Sequence, residues 1–278
     1  MAQSFAHGNY SHTQKKARTG GGRTGRDQAR RALSQNFLVD REVVAKVVRA
    51  AGPHDLVLEP GAGEGVLTRA LAETCGQVVG YEIDPLLAGR LAARTRDDAR
   101  VRIVRGDFLS ARAPREPFAV VGNIPYSITS KIVDWCLGAP ALTSATLTAQ
   151  LEYVRKRTGD FGRWSMLTVQ TWPWYGWEML DRIDREAFRP VPAVDSAILR
   201  IERRPEAPDL PGYQAFVGYG FTGLGGSLDA TMRLRHPAAQ VEAAFAAAGI
   251  AGGTVVAYVH PDQWRILFDH LGHLGNVD

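Results

Sequence analysis

The chain has 278 residues, 45% hydrophobic and 22% charged, with a net charge of +4. This is an ordinary globular composition, long enough for one large domain and a small one. It gives no apolar run near the ~20 residues of a membrane span, no apolar core for a secretory leader, and only Cys75 and Cys136, too few for a disulfide framework or a cysteine-rich zinc site. A reducing cytoplasm is the expected compartment, with both cysteines packed as small hydrophobes.

The charge is unevenly placed. Residues 1–31 hold seven cations against one anion, so the rest of the chain is slightly acidic. This segment, with Thr19-Gly20-Gly21-Gly22-Arg23, has few apolar residues and is expected to be a disordered basic arm. A basic arm beside a near-neutral body is a footprint of nucleic-acid binding, though a solvated leader has the same composition. Asp40 is placed to cap a helix over Arg41 to Ala51, whose valines form one stripe, and Gly52-Pro53 ends it. Leu56 to Leu58 reads as a buried strand, followed by a glycine loop and a helix over Val66 to Thr74. Gln77 to Ile83 is the next strand, and Asp84-Pro85 opens a helix reaching about Thr95. Val101 to Val104 and Phe118 to Val121 are further strands, Ser127 to Leu137 a helix, and Thr146 to Gln150 a fifth strand. Ala197 to Arg203 is another strand, and Pro205 to Pro211 a linker. Helices are then expected over Tyr213 to Phe221, Pro237 to Ala248 and Asp262 to Leu271.

Alternating strands and helices with short connections imply an α/β fold with a parallel sheet covered on both faces. Glu59, Glu82, Asp107 and Asn123 all fall at carboxyl ends of strands, where such sheets bind ligands. The loop Glu59-Pro60-Gly61-Ala62-Gly63-Glu64-Gly65 has the spacing G-x-G-x-G, one residue shorter than the dinucleotide fingerprint. S-adenosylmethionine has no phosphate to cradle, and its ammonium and sulfonium suit nearby carboxylates. Glycines let the backbone approach such a ligand closely. Glu82 can accept both hydroxyls of a ribose, and Asp107 can accept the adenine amine, although Gly106-Asp107 also suits a plain turn.

Asn123-Ile124-Pro125-Tyr126 carries the chemistry. The lone pair of a base amine is delocalised into its ring and is a poor nucleophile. The Asn123 side-chain oxygen and the Ile124 carbonyl can each accept one N–H and orient that lone pair, and orientation of this kind is worth orders of magnitude in rate. Pro125 stiffens the backbone and Tyr126 offers a stacking face. Phe188, in the stiff run Phe188-Arg189-Pro190-Val191-Pro192, suits either the opposite wall of a base pocket or a core position.

In order, Leu33 to Leu38, Glu59 to Gly65, Glu82, Gly106-Asp107, Asn123 to Tyr126 and Phe188 to Ser196 resemble the motifs of the ribosomal RNA adenine N6-dimethyltransferases, over about residues 32–271. Phe161 to Leu167, Gln170 to Tyr175, Phe188 to Pro192 and Gln263-Trp264 look like the Erm branch, which methylates one adenine of 23S ribosomal RNA and confers macrolide resistance. The resemblance implies a Rossmann-like S-adenosylmethionine-dependent methyltransferase domain with a small C-terminal helical domain. The implied divisions are a disordered tail over 1–31, the catalytic domain over 32–204 and a helical RNA-binding domain over 205–278. It implies that Asn36, Leu38, Gly61, Gly63, Glu82, Asp107 and Asn123 contact the cofactor and that Tyr126 and Phe188 sandwich the adenine. It also implies that the Leu33 to Leu38 segment closes over the cofactor.

A stacked adenine must leave its helix to enter such a pocket. Arg155-Lys156-Arg157, Arg233 and Arg235 can hold the RNA backbone, although the first three also suit a solvated helix face. The expected partner is free or immature 23S RNA rather than an assembled subunit, with the enzyme a monomer and no metal or membrane involved. The rival readings are a small-subunit (16S) adenine dimethyltransferase, a catalytically silent RNA-binding module and a nicotinamide oxidoreductase, the last disfavoured by the glycine spacing.

Overall fold

Local capping chemistry starts the first helix where the sequence places it. In the computed structural model, which describes residues 36–272, Asp40 Oδ1 accepts from the Glu42 and Val43 amides at 2.8 and 3.3 Å. Two of the orphan N–H groups of α1 (Arg41–Ala51) are thereby satisfied. Asp84 repeats the device for α3 (Pro85–Thr95), accepting from Leu86 and Leu87 at 2.8 and 3.2 Å, with Pro85 at the first helical position. The expected disordered arm over 1–31, and Leu33 to Gln35, lie outside the described residues.

The strands are β1 (Phe37–Leu38), β2 (Leu56–Pro60), β3 (Gln77–Glu82), β4 (Val101–Arg105), β5 (Phe118–Asn123), β6 (Leu142–Gln150), β7 (Tyr175–Ile183), β8 (Phe188–Arg189) and β9 (Ser196–Arg203). Seven of them form one sheet in the order β4-β3-β2-β5-β6-β9-β7. From β4 to β6 the pairs are parallel, while β9 runs antiparallel to both β6 and β7. The sheet is therefore mixed at one edge, where sequence reading expected it wholly parallel. The edge strand β7 is not among the elements expected from the sequence. Its register shifts between Met179 and Asp181, and Glu178, Met179 and Leu180 are all exposed, so its two-residue alternation breaks off after Trp177. β6 also begins at Leu142 rather than Thr146.

Chain order reverses at β2, whose neighbours are β3 on one side and β5 on the other. The crevice above that reversal is where open α/β sheets hold ligands. One face of the sheet is filled by α4 (Thr129–Leu137), whose Ile132, Val133 and Cys136 pack in a cluster with Phe118, Val120 and Leu142. The other is filled by α1 and α2 (Val66–Ala72), with Val47, Leu71, Val57 and Val121 buried together. Each such aliphatic side chain, fully buried, contributes roughly 1.5–3 kcal/mol. Cys75 and Cys136 are both buried free thiols.

After β6 come α5 (Leu151–Thr158) and α6 (Met166–Thr171), then, past β9, α7 (Tyr213–Gly220), α8 (Leu228–Arg233), α9 (Ala238–Ala247) and α10 (Pro261–Leu271). The later helices enclose a third core around Tyr213, Met232, Phe245 and Trp264. Val169 of α6 belongs to that core too, so helices on both sides of position 204 share it.

Candidate active site

The glycine loop is bound to the neighbouring strand by backbone bonds. The Gly61 and Ala62 amides both donate to the Tyr81 carbonyl at 2.9 Å. Gly63 N–H donates to Glu82 Oε2 at 2.8 Å, and Asp84 N–H donates to Glu82 Oε1 at 2.8 Å. The Glu82 carboxylate, 1% exposed, thus braces the loop on one side and the start of α3 on the other. Gly65 caps α2 in the left-handed region at φ 76°, and a Cβ there would lie 2.1 Å from Leu91 Cδ1. At Gly63 a Cβ would meet the Phe37 ring at 3.0 Å, so the N-terminal motif lies directly over the loop.

Glu59, next to last in β2, lies beneath this loop, 2% exposed, and its Oε2 has no hydrogen-bond partner among the described residues. Burial raises its carboxyl to about 8, the Thr68 hydroxyl opposes the rise, and the Glu82 carboxylate adds to it.

Asn123 closes β5 beside the loop: a Cβ on Gly61 would sit 3.9 Å from both the Asn123 carbonyl oxygen and Pro125 Cδ. The Asn123 amide Nδ2 donates to the Asn36 carbonyl at 2.7 Å. That bond ties up the nitrogen and leaves Oδ1 as the acceptor end of the amide. Ile124 turns its side chain into the core, 2% exposed, which anchors the peptide between Asn123 and Pro125. Tyr126 opens a short 3-10 turn (Tyr126–Ile128) and is half-buried. Its hydroxyl shares a 2.5 Å hydrogen bond with Ser196 Oγ, and burial keeps the phenol above its ordinary pKa. Sequence reading gave Ser196 no role, because it lies 70 positions from its partner. Paired with Gln150 and Ile183 across β9, it is a rigid anchor.

The remaining candidates are less central. Asp107 is exposed and accepts from the Leu109 amide at 3.0 Å, the turn-capping role that competed with adenine recognition. Leu38 is buried, and its strand pairs antiparallel with β8, Leu38 opposite Phe188. Phe188 itself is 0% exposed, packed with the core of α1, Ile183 and Ile198. In this conformation its ring offers no face to a base. Of the basic residues, Arg233 pairs with Glu242 at 3.2 Å and Arg235 lies 3.7 Å from the centroid of the Tyr219 ring.

The arrangement joins a backbone cradle braced by the Glu82 carboxylate, an oriented amide and an aromatic ring at the carboxyl ends of β2, β3 and β5. Among the described residues no cluster of His, Cys, Asp and Glu could hold a metal, and no helix is long and apolar enough to cross a membrane.

Comparison with known proteins matches residues 26–272 to the family described as ribosomal RNA adenine dimethylase. An rRNA adenine N-6-methyltransferase of Streptomyces fradiae is 57% identical over 251 residues, 87% of this chain and 78% of that protein. The mycinamicin-resistance protein MyrB of Micromonospora griseorubida is 41% identical, over 77% of this chain and 70% of its own length. A crystal structure described as the 23S rRNA methyltransferase ErmE superposes with a TM-score of 0.82 at 50% identity, covering 85% of this chain and all of that one.

Proposed function

The chain belongs to the ribosomal RNA adenine dimethylase family, and from that premise we propose that it is an S-adenosyl-L-methionine-dependent methyltransferase acting on the N6 amine of one adenine in 23S ribosomal RNA, giving resistance to macrolide antibiotics. The Asn123 geometry carries this reading: an amide with its nitrogen committed to Asn36 and its oxygen available, at the rim of the glycine cradle. Support for the 23S substrate and the resistance phenotype comes from the similarity to ErmE and to MyrB.

The residues present suit the cofactor. Left-handed glycines bring backbone close to a ligand where a Cβ would intrude, and the Glu82 carboxylate gives the cradle the sign that a cationic ligand requires. Asn36, Leu38, Gly61, Gly63, Glu82, Asp107 and Asn123 are the proposed cofactor shell. When bound, S-adenosylmethionine supplies a methyl carbon made electrophilic by its sulfonium. Asn123 Oδ1 and the Ile124 carbonyl then accept the two N–H bonds of the target amine and direct its lone pair at that carbon. Tyr126 stacks on the base, with its ring plane set by Ser196. Pro125 limits the backbone freedom of the clamp. No general base is required, because the nitrogen becomes acidic as it is alkylated. Phe188 serves as the second wall of the adenine pocket only if the β1–β8 pair moves aside. We further propose that the protein acts as a cytoplasmic monomer on free or immature RNA, with residues 205–278 contributing RNA contacts.

The test is to map labelled methyl groups in 23S RNA incubated with the protein, alongside macrolide susceptibility of a host expressing it. Methylation at one 23S adenine with raised resistance is expected. Methylation confined to small-subunit RNA, with unchanged susceptibility, would overturn the assignment.

A further inference from the structure

Phe161 is 77% exposed, the most exposed large apolar side chain among the described residues, in a short turn between α5 and α6. Its backbone sits at φ 58° and ψ 25°, making it the one described non-glycine residue with positive φ. That region is unfavourable for a bulky L side chain. A lone exposed aromatic needs no explanation, but one held in a strained backbone and left 77% exposed does, because little burial offsets the strain.

The turn is braced to hold the ring outward. Asp160 Oδ1 accepts from the Phe161 amide at 3.1 Å, while its Oδ2 pairs with Arg155 Nε at 2.8 Å. The Arg155 guanidinium in turn lies 5.4 Å from the Phe161 ring centroid. One side of the ring is thus near a fixed cation and most of the rest faces water. A second pair stands close in sequence: Arg163 donates to the Tyr258 hydroxyl at 2.8 Å and lies 5.3 Å from that ring, which is 46% exposed. The Trp164 amide, donating to the Ala257 carbonyl at 2.8 Å, joins the two segments. Arg155, Lys156, Arg157 and Arg163 outnumber Glu152 and Asp160 on this stretch. Helix α5 starts where β6 ends, one residue past Gln150, and its eight residues span about 12 Å.

Aromatic rings among guanidinium groups are how proteins grip unpaired nucleotides, the cations following phosphates while bases stack. We infer that Phe161, braced by Arg155 and Asp160, is a stacking platform for an unpaired RNA base other than the target adenine, with Arg163–Tyr258 as its neighbouring contact. This rests on the RNA substrate proposed above. The excess of cations favours RNA over a protein partner for the exposed ring.

The experiment compares full-length wild type, Phe161→Asn and Phe161→Trp. Asparagine tolerates the left-handed backbone but has no ring, so it separates stacking from strain. Binding is measured by anisotropy to a labelled single-stranded oligoribonucleotide and to a blunt RNA duplex, with thermal melts in parallel. The expected result is a loss of about 5- to 150-fold in single-strand affinity for Phe161→Asn, from the usual worth of one base–aromatic stack. Melting temperature, duplex affinity and salt slope stay unchanged, and Phe161→Trp binds as wild type does. Undiminished single-strand binding by Phe161→Asn would overturn the inference, as would unchanged RNA binding combined with lost self-association in sedimentation. Failure of the wild type to bind any RNA would overturn the substrate reading as well.

Discussion

Glu59→Gln should make the protein more stable at neutral pH and change how stability depends on pH. Glu59 is 2% exposed with an unpartnered oxygen, and burial raises its carboxyl from 4.5 to about 8. Below pH 4.5 both folded and unfolded chains hold the proton, and this group's contribution to stability is fully present. As pH rises toward about 8 the unfolded chain releases the proton first, so stability is lost across that window. Each pH unit within it is worth about 1.4 kcal/mol, so wild type should lose on the order of 3 kcal/mol between pH 5 and 7.5 that the glutamine variant keeps. For a domain of this size that corresponds to roughly 6–12 °C in melting temperature. Glutamine preserves the shape and carries no proton to lose, and all other titrating groups are common to both proteins. Urea unfolding followed by tryptophan fluorescence at several pH values measures the gap directly. A gap between the two proteins that stays constant from pH 5 to 7.5 would refute the claim that Glu59 is buried neutral.

Tyr126→Ala should lower methyl transfer by about 5- to 150-fold, the worth of one base–aromatic stack, while leaving S-adenosylmethionine affinity within about two-fold. Calorimetry of cofactor binding beside transfer assays checks this, and equal loss of both would show that the ring belongs to the cofactor shell instead. Gly65→Ala should destabilise the fold by at least about 1–3 kcal/mol, because it forces a left-handed backbone on alanine and drives its Cβ to 2.1 Å from Leu91 Cδ1. An unchanged urea midpoint would mean that α2 starts in some other geometry.

Much of the site is legible in the sequence because its signals are local. Asp40 and Asp84 cap helices with bonds two and three residues away. Asn123 ends a strand whose hydrophobic run is visible, and the glycines of the cradle occupy left-handed positions that few other residues tolerate. The reading weakened where a side chain had two possible faces. Phe188 follows a turn and precedes prolines, features equally compatible with a cleft wall and a core position. Pairing of β8 with β1 turns it inward. Strand β7 escaped notice because its bulge interrupts the alternation that would mark it.

The alternation of strands and helices from Arg41 to Gln150, the helix starts at Asp40 and Asp84, the glycine cradle and the tetrapeptide Asn123 to Tyr126 could be read along the chain, since capping, left-handed backbone and proline stiffness act over a handful of residues. The antiparallel edge, the burial of Phe188, the Ser196 anchor of Tyr126 and the Asn36 carbonyl that orients Asn123 emerge only on assembly. Each depends on groups far apart in sequence, the last two on pairs 70 and 87 positions apart. No local preference encodes such a meeting; close packing of the sheet against its helices brings it about.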